Sequence, residues 1–329
     1  MKQLEETRKK ALKLLQKHRD EWEPQFEDYA NKIELNLKNL QAKRAQFHQW
    51  DPLKIYLTLG KAMGQKSKVS FDVRFLGQTV ANLIVDDGSG QILLNTTKEQ
   101  IVSNEKYFKC DIALDKVPWL GKEAQGFQAS FKDNPNKPRI KEHRLESLLL
   151  TELSKDTGKN KALTDIQPVQ FHGIRFPMLT PLKASDHKNL GYSGKGGGID
   201  ILTRVEHGGD TTLGIIELKS KNKSAINVAC QSVAYTVFIR ELLRSKSGKT
   251  WWRLFGFENE FPEHLPLKLY AIHAMPSKKN GVNDTSLKKL NIDFKDGQVK
   301  DSIVLHYLYF NEVDNEIKSI DSSLTGQAR

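Results

Sequence analysis

The chain has 329 residues, 38% of them hydrophobic and 9% aromatic, enough to bury one or two cores and too apolar for a disordered polyelectrolyte. Its 51 Lys and Arg against 40 Asp and Glu leave a net charge of +11, which fits a polyanionic partner without demanding one. Only two cysteines are present, Cys110 and Cys230, far apart and away from any zinc-ligand spacing, so a disulfide framework and a structural zinc site are both excluded as expectations.

The start of the chain, Met1 to Lys10, is charged and has no apolar core of a secretory signal, and no run approaches the roughly 18 apolar residues of a membrane span. The expected location is the cytoplasm, with no membrane partner. Residues 1–50 form the first expected segment, a helical one. Leu4, Ala11, Leu14, Leu15, Ile33, Leu37 and Leu40 give a partly helical apolar spacing, and Pro24 is expected to interrupt it. Such a helical pair is either an arm for a protein partner or homo-oligomer, or a cap packed on the rest of the chain.

Residues 51–135 are expected to make a small, mostly β domain. Val69 to Phe75 alternates as a half-buried strand does, Val80 to Val85 continues the pattern, and Asp86 to Gly90 reads as a turn before Gln91 to Leu94. Phe108 to Ala113 and Gly126 to Phe131 are further strand candidates, and Asn134 to Pro138 is a linker or turn.

From 136 to 315 the pattern is that of an α/β domain, with 316–329 as a tail. Ile140 to Lys155 is a helix with Leu145, Leu148, Leu149 and Leu153 on one stripe. Val169 to Phe176 reads as a strand and Gly191 to Gly198 as a glycine-rich loop. Strands are predicted over Ile199 to Val205 and Thr211 to Lys219, a long helix over Ala225 to Arg244, and later strands over Leu267 to Met275 and Ser302 to Phe310. The glycine-rich loop lacks the Gly-Lys-Ser/Thr and following helix of a nucleotide-binding P-loop. It is either a flexible connector or a place where a substrate backbone approaches Asp200, with Lys195 near a phosphate.

The informative stretch lies between the two predicted strands. Gly208 and Gly209 centre a hairpin turn, and the register that follows puts Asp200 opposite Glu217. Opposed carboxylates are about 4.5–5.5 Å apart at Cβ and repel each other. A hard divalent cation such as Mg²⁺ removes that repulsion, because carboxylates are its preferred protein ligands. Lys219 follows Glu217 by two residues and so shares its face. Beside a cation, an ammonium can orient an attacking water and offset charge on a phosphoryl oxygen. The competing reading is a surface strand with ordinary charges. Against it, Ile199, Ile201, Ile215, Ile216 and Leu218 place these charges in or beside a core, where unpaired charge is costly.

Asp200 followed across a hairpin by Glu217-Leu218-Lys219 resembles the signature of the PD-(D/E)XK nuclease superfamily. Gln231 and Tyr235, on the helix after the hairpin, resemble the Gln-x-x-x-Tyr element of its RecB-type and phage-exonuclease branches. The resemblance covers roughly residues 140–310 and departs in having Ile199 where the family's proline stands. It implies a restriction-endonuclease-like mixed central sheet flanked by helices, and a Mg²⁺-dependent deoxyribonuclease in which Mn²⁺ can substitute. Asp200, Glu217, the backbone carbonyl of Leu218 and a helix acid, matched by Glu146 with Glu142 and Glu152 as rivals, would hold the metal. Lys219, Gln231 and Tyr235 would complete the catalytic set, and DNA ranks ahead of RNA as substrate. The alternative is a nucleic-acid-binding or assembly protein that keeps such a fold without turnover.

Two other features are weaker. Lys219, Lys221 and Lys223, with Lys137, Arg139, Lys141 and Arg144, form either a phosphate track or a solvated basic surface. Trp251 and Trp252 offer rings for base stacking or for the core, and His172, His187, His273 and His306 stand at no ligand spacing.

Overall fold

Apolar runs in the second half of the chain assemble into one mixed sheet, and the alternating runs of the first half into another. The structure is a computed structural model and describes residues 2–42, 50–58, 70–85, 91–132, 134, 141–155, 163, 165–171, 174–186, 188–207, 209–220, 223–277, 287, 290–294, 299–314 and 316–324. Its helices in chain order are α1 (Lys2–Lys17), α2 (Arg19–Ala42), α3 (Lys98–Phe108), α4 (Lys122–Ala129), α5 (Lys141–Leu153), α6 (Ala225–Leu243) and α7 (Gly248–Leu254). The strands are β1 (Lys54–Thr58), β2 (Ser70–Phe75), β3 (Gln78–Val85), β4 (Ile92–Asn95), β5 (Val117–Pro118), β6 (Ile166–Pro168), β7 (Gln170–Phe171) and β8 (Ile174–Arg175). They continue with β9 (Leu179–Lys183), β10 (Gly191–Gly198), β11 (Ile201–His207), β12 (Asp210–Leu218), β13 (Lys268–Pro276), β14 (Leu290–Asp293), β15 (Ser302–Val313) and β16 (Glu316–Ser322).

The elements divide into two compact units that interleave along the chain. The larger holds Met1–Asp28, Leu148–Val169 and Met178–Arg329, the smaller Tyr29–Ser147 and Gln170–Pro177. This differs from a division at residues 50 and 135, because α1 and the start of α2 bury their apolar stripe on the C-terminal sheet unit, while β7 and β8 add to the N-terminal sheet. Val169 to Phe176 is accordingly two short strands, β7 and β8, rather than one.

In the larger unit the sheet order is β14-β15-β13-β12-β11-β6, with β16 also on β15. β12, β13 and β15 run parallel, and the remaining pairs are antiparallel. The strands β13 and β15 are buried almost throughout, as parallel strands covered on both faces must be. β16 extends order into the expected tail as far as Ser322.

Helix α6 is apolar all round and buried nearly end to end, which requires cover on two sides. It packs on β12, β13 and β15, and α1 covers it. The buried residues of α1, Leu4, Thr7, Arg8, Ala11 and Leu15, lie on one stripe at helical spacing. Pro24 lies inside α2 and the chain breaks at His18 instead. The backbone donor lost at Pro24 is outweighed by burial of Trp22 and Phe26, whose rings meet Phe238 of α6 at 5.7 and 4.9 Å.

In the smaller unit the sheet order is β5-β4-β3-β2-β1-β8-β7. Phe71, Val73 and Phe75 of β2 point into the core and Asp72 and Arg74 away from it. Two strand expectations fail here. Phe108 ends α3, a helix opened by a reciprocal capping box between Thr97 and Gln100, and residues 126–129 belong to α4. Phe108, Phe127 and Phe131 then pack as an aromatic cluster reached by Phe75, where helical spacing from 127 to 131 replaces the assumed alternation. The expected turn at 86–90 and the linker residues 135–138 lie outside the described residues.

The glycine-rich stretch is strand β10 rather than a loop, paired antiparallel with β9. Tyr192 faces Leu182 while Gly197 faces Thr180, five steps on β10 against two on β9, so three residues bulge from the ladder. Among the described residues no helix is long and apolar enough to cross a membrane.

Candidate functional site

The β11–β12 hairpin runs in unbroken antiparallel register from His207 opposite Asp210 to Ile201 opposite Ile216. One further step brings Asp200 level with Glu217. Asp200 immediately precedes β11, and its Oδ2 accepts the backbone N–H of Leu218 at 2.7 Å. Lys219 leaves β12 with its own N–H donating to the carbonyl of Ala274 in β13, at 3.1 Å. Its ammonium turns back over the strand end, 2.7 Å from Glu217 Oε1 and 3.8 Å from Asp200 Oδ2.

The three side chains are graded from wall to mouth, at 1% exposed for Glu217, 19% for Lys219 and 26% for Asp200. Burial, then the neighbouring Asp200 charge, push the Glu217 carboxyl well above the usual carboxylate range against the pull of Lys219. Glu217 Oε2 is buried and meets no hydrogen-bond donor. Two carboxyl groups thus crowd one desolvated space, the arrangement a cation or a shared proton relieves.

Helix α6 adds its pair from the other side. Gln231 Nε2 donates to the Tyr235 hydroxyl at 3.3 Å, and Gln231 Oε1 is buried without a partner. Burial pushes the Tyr235 hydroxyl up to about 12, with the charges of Glu217 and Asp200 adding to the rise. The same hydroxyl lies 3.3 Å from where a Cβ on Gly197 would stand, so α6, β10 and the hairpin meet around it.

Asp200, Glu217, Lys219, Gln231 and Tyr235 are therefore all in the larger unit and adjoin one another. Glu146 is half-buried on the part of α5 that belongs to the smaller unit. Of its rivals, Glu142 is also in the smaller unit, and Glu152 in the larger is buried and ion-paired to Lys155 at 2.5 Å. Among the described residues no three His, Cys, Asp or Glu side chains are grouped to hold a metal together. Leu218, expected to lend its carbonyl, is tied to Asp200 through its N–H.

Of the expected basic track, Lys223 and Lys141 are exposed and Arg144 is buried, while Lys137, Arg139 and Lys221 lie outside the described residues. Trp251 and Trp252 are core residues, 0% and 5% exposed, so neither is offered for stacking. His172 and His187 lie outside the described residues, and His306 is buried against Ser323.

His273 is the residue that sequence reasoning passed over. It stands directly across from Glu217 in the parallel β12–β13 ladder, fully buried, with Nε2 3.4 Å from the Tyr309 hydroxyl. Its proximity comes from a parallel pairing that no local motif announces. Comparison of the chain with protein-family models, with curated proteins and with solved structures finds no match in any of the three.

Proposed function

We propose that this chain is a metal-dependent nuclease of the PD-(D/E)XK type, hydrolysing phosphodiester bonds with DNA as the expected substrate. The observation that carries the reading is the meeting of Asp200, Glu217 and Lys219 at one hairpin end, with a buried carboxylate oxygen that no donor satisfies. The mixed sheet with α6 laid across β12, β13 and β15 is in keeping with a restriction-endonuclease-like fold. Mg²⁺ keeps several waters and needs only one or two carboxylates, so a donor pair of Asp200 and Glu217 suits it. When bound, the ion supplies a Lewis acid for the phosphoryl group and a more acidic water.

The chain's own groups have separable roles. Asp200 is oriented by the Leu218 N–H, which holds one carboxylate oxygen fixed. Lys219 keeps an ammonium beside both acids, where it can orient water or meet charge developing on a phosphoryl oxygen. Tyr235, with its hydroxyl pushed up to about 12, keeps its proton near neutral pH and serves as a hydrogen-bond donor rather than a base. Gln231 orients that hydroxyl.

The test compares wild type with Lys219→Ala on linear and circular DNA, each with Mg²⁺, Mn²⁺ or EDTA. Metal-dependent cleavage by wild type, lost at least about 100-fold in the variant, is the expected result. Absence of wild-type cleavage under every condition sinks the reading. One observation favours a second reading, a nucleic-acid-binding protein without turnover: Lys219 ion-pairs with both acids and offsets one of their two charges. DNA binding without cleavage across the same metals is the signature of that protein.

A further inference from the structure

A cavity of about 770 Å³ opens within the larger unit at the N-terminal ends of β12 and β13, lined there by Asp210 and Lys268. Glu217 lies at the other end of β12, about 23 Å along the strand from Asp210 at the rise of an extended chain. The cavity is therefore separate from the acidic pair, and the nuclease chemistry has no use for it. Its size is that of a ligand site.

The segment between α7 and β13 builds one wall and is fixed in place. Gly256 turns the chain with φ 85°, its carbonyl accepts from Arg204 Nη1 at 2.8 Å, and the Asn259 carbonyl accepts from Trp252 Nε1 at 3.2 Å. Buried rings form the base: Trp252 stacks on Phe257 at 3.9 Å, and Tyr270 is 2% exposed. Lys268 already holds its ammonium 5.6 Å from the centre of the Tyr270 ring, the contact an incoming cation makes with such a base.

Charge selects the occupant. Asp165, Glu206, Asp210 and Glu258 line the cavity against two cationic side chains, Arg204 and Lys268, in a chain whose net charge is +11. Glu206, Asp210 and Glu258 are exposed and pair with no cation among the described residues. Also among the described residues, no three acids are grouped to hold one metal ion, so these carboxylates are spaced for separate cations. Leu265, 64% exposed, adds an apolar edge to the same cavity, which a small hydrophilic cation leaves uncovered.

We propose that this cavity docks a protein partner through a segment that carries Lys or Arg beside an apolar residue. The cations meet Glu206, Asp210 and Glu258, their aliphatic stems lie on the aromatic base, and the apolar residue covers Leu265. DNA is repelled by the same carboxylates, so the partner and a nucleic acid occupy opposite ends of the β12 and β13 strands.

The experiment measures fluorescence anisotropy of a labelled hexapeptide of alternating Arg and Leu, at about 0.15 M salt so that distant surface charges are screened. Wild type is compared with the double variant Glu206→Gln, Asp210→Asn, and with Glu105→Gln, an exposed acid on α3 of the smaller unit. The expected result is at least tenfold weaker binding in the double variant, an unchanged Kd for Glu105→Gln, and thermal midpoints within about 2 °C of wild type. Leu265→Ser is expected to weaken the peptide severalfold while leaving competition by spermine unchanged. Wild-type affinity in the double variant overturns the site, as does a wild type that does not bind the peptide. Spermine binding as tightly as the peptide overturns the protein partner and assigns the cavity to a free polyamine.

Discussion

The Asp200 carboxylate accepts the backbone N–H of Leu218 at 2.7 Å, and this contact closes the hairpin end on which the candidate site is built. Leu218 is 1% exposed, so no solvent replaces the bond when the acceptor is removed.

Asp200→Ala leaves that N–H unsatisfied and costs about 1–3 kcal/mol of stability. Asp200→Asn keeps an amide oxygen at the same place and stays within about 1 kcal/mol of wild type. On the nuclease reading, both are expected to lose metal-dependent cleavage. Urea denaturation and a cleavage assay on the two variants check this; equal stability of Ala and Asn contradicts it.

On the nuclease reading, Glu217 is held at the expense of stability. Its carboxyl is buried beside Asp200, with one oxygen that meets no donor. Glu217→Gln removes the buried charge and is expected to raise metal-free stability by about 1 kcal/mol while abolishing cleavage. A lower thermal midpoint in metal-free buffer would contradict this.

Gly197 and Gly198 are neighbours with opposite tolerance. A methyl on Gly197 presses on the Leu182 carbonyl and the Tyr235 hydroxyl, so Gly197→Ala is expected to cost about 1–3 kcal/mol. Chemical denaturation of the variant gives the number directly.

Asp301 clamps the start of β15 to α6. It takes Arg240 Nε at 2.8 Å, Arg244 Nη2 at 2.6 Å and the Leu267 N–H at 2.8 Å, and is 1% exposed. Burial alone would raise its carboxyl, but Arg244, the Leu267 N–H and Arg240 together hold it below the ordinary value of 3.8. A depressed carboxylate stabilises the fold above its unfolded pKa, and that contribution is lost as pH falls through the folded value. Asp301→Asn is expected to cost about 3 kcal/mol at pH 7, leaving two guanidinium groups without their shared carboxylate. The gap from wild type should narrow only below about pH 4. Denaturant midpoints of both proteins from pH 7 to 3 check the sign.

The N-terminal helices act as a cap on α6. Trp22 is 1% exposed, donates to the Leu15 carbonyl at 2.9 Å and meets the Phe238 ring edge to face. Trp22→Ala is expected to cost about 3–5 kcal/mol. A free arm would tolerate the change with little loss of stability.

Legibility followed the range of the interactions. The Gly-Gly turn set the β11–β12 register, and from it the approach of Asp200 to Glu217, because a hairpin is specified by a few adjacent residues. The strand expectation at 108–113 fails because residues 98–108 close as a helix on the Thr97–Gln100 capping box, and the glycines of β10 pair with β9 only through a bulge that no local signal announces.

By itself, then, the sequence determined the hairpin, the acid–acid–lysine spacing, the Gln231–Tyr235 helix face and the apolar runs that become β13, β15 and α6. Only the tertiary structure decided that Glu217 is walled in across from His273, that α1 covers α6, and that β7 and β8 join the N-terminal sheet. Turns and helix faces are written within a few residues of each other. Parallel pairing and burial depend on which distant segments outcompete solvent for the same surface, and no single segment encodes its partner.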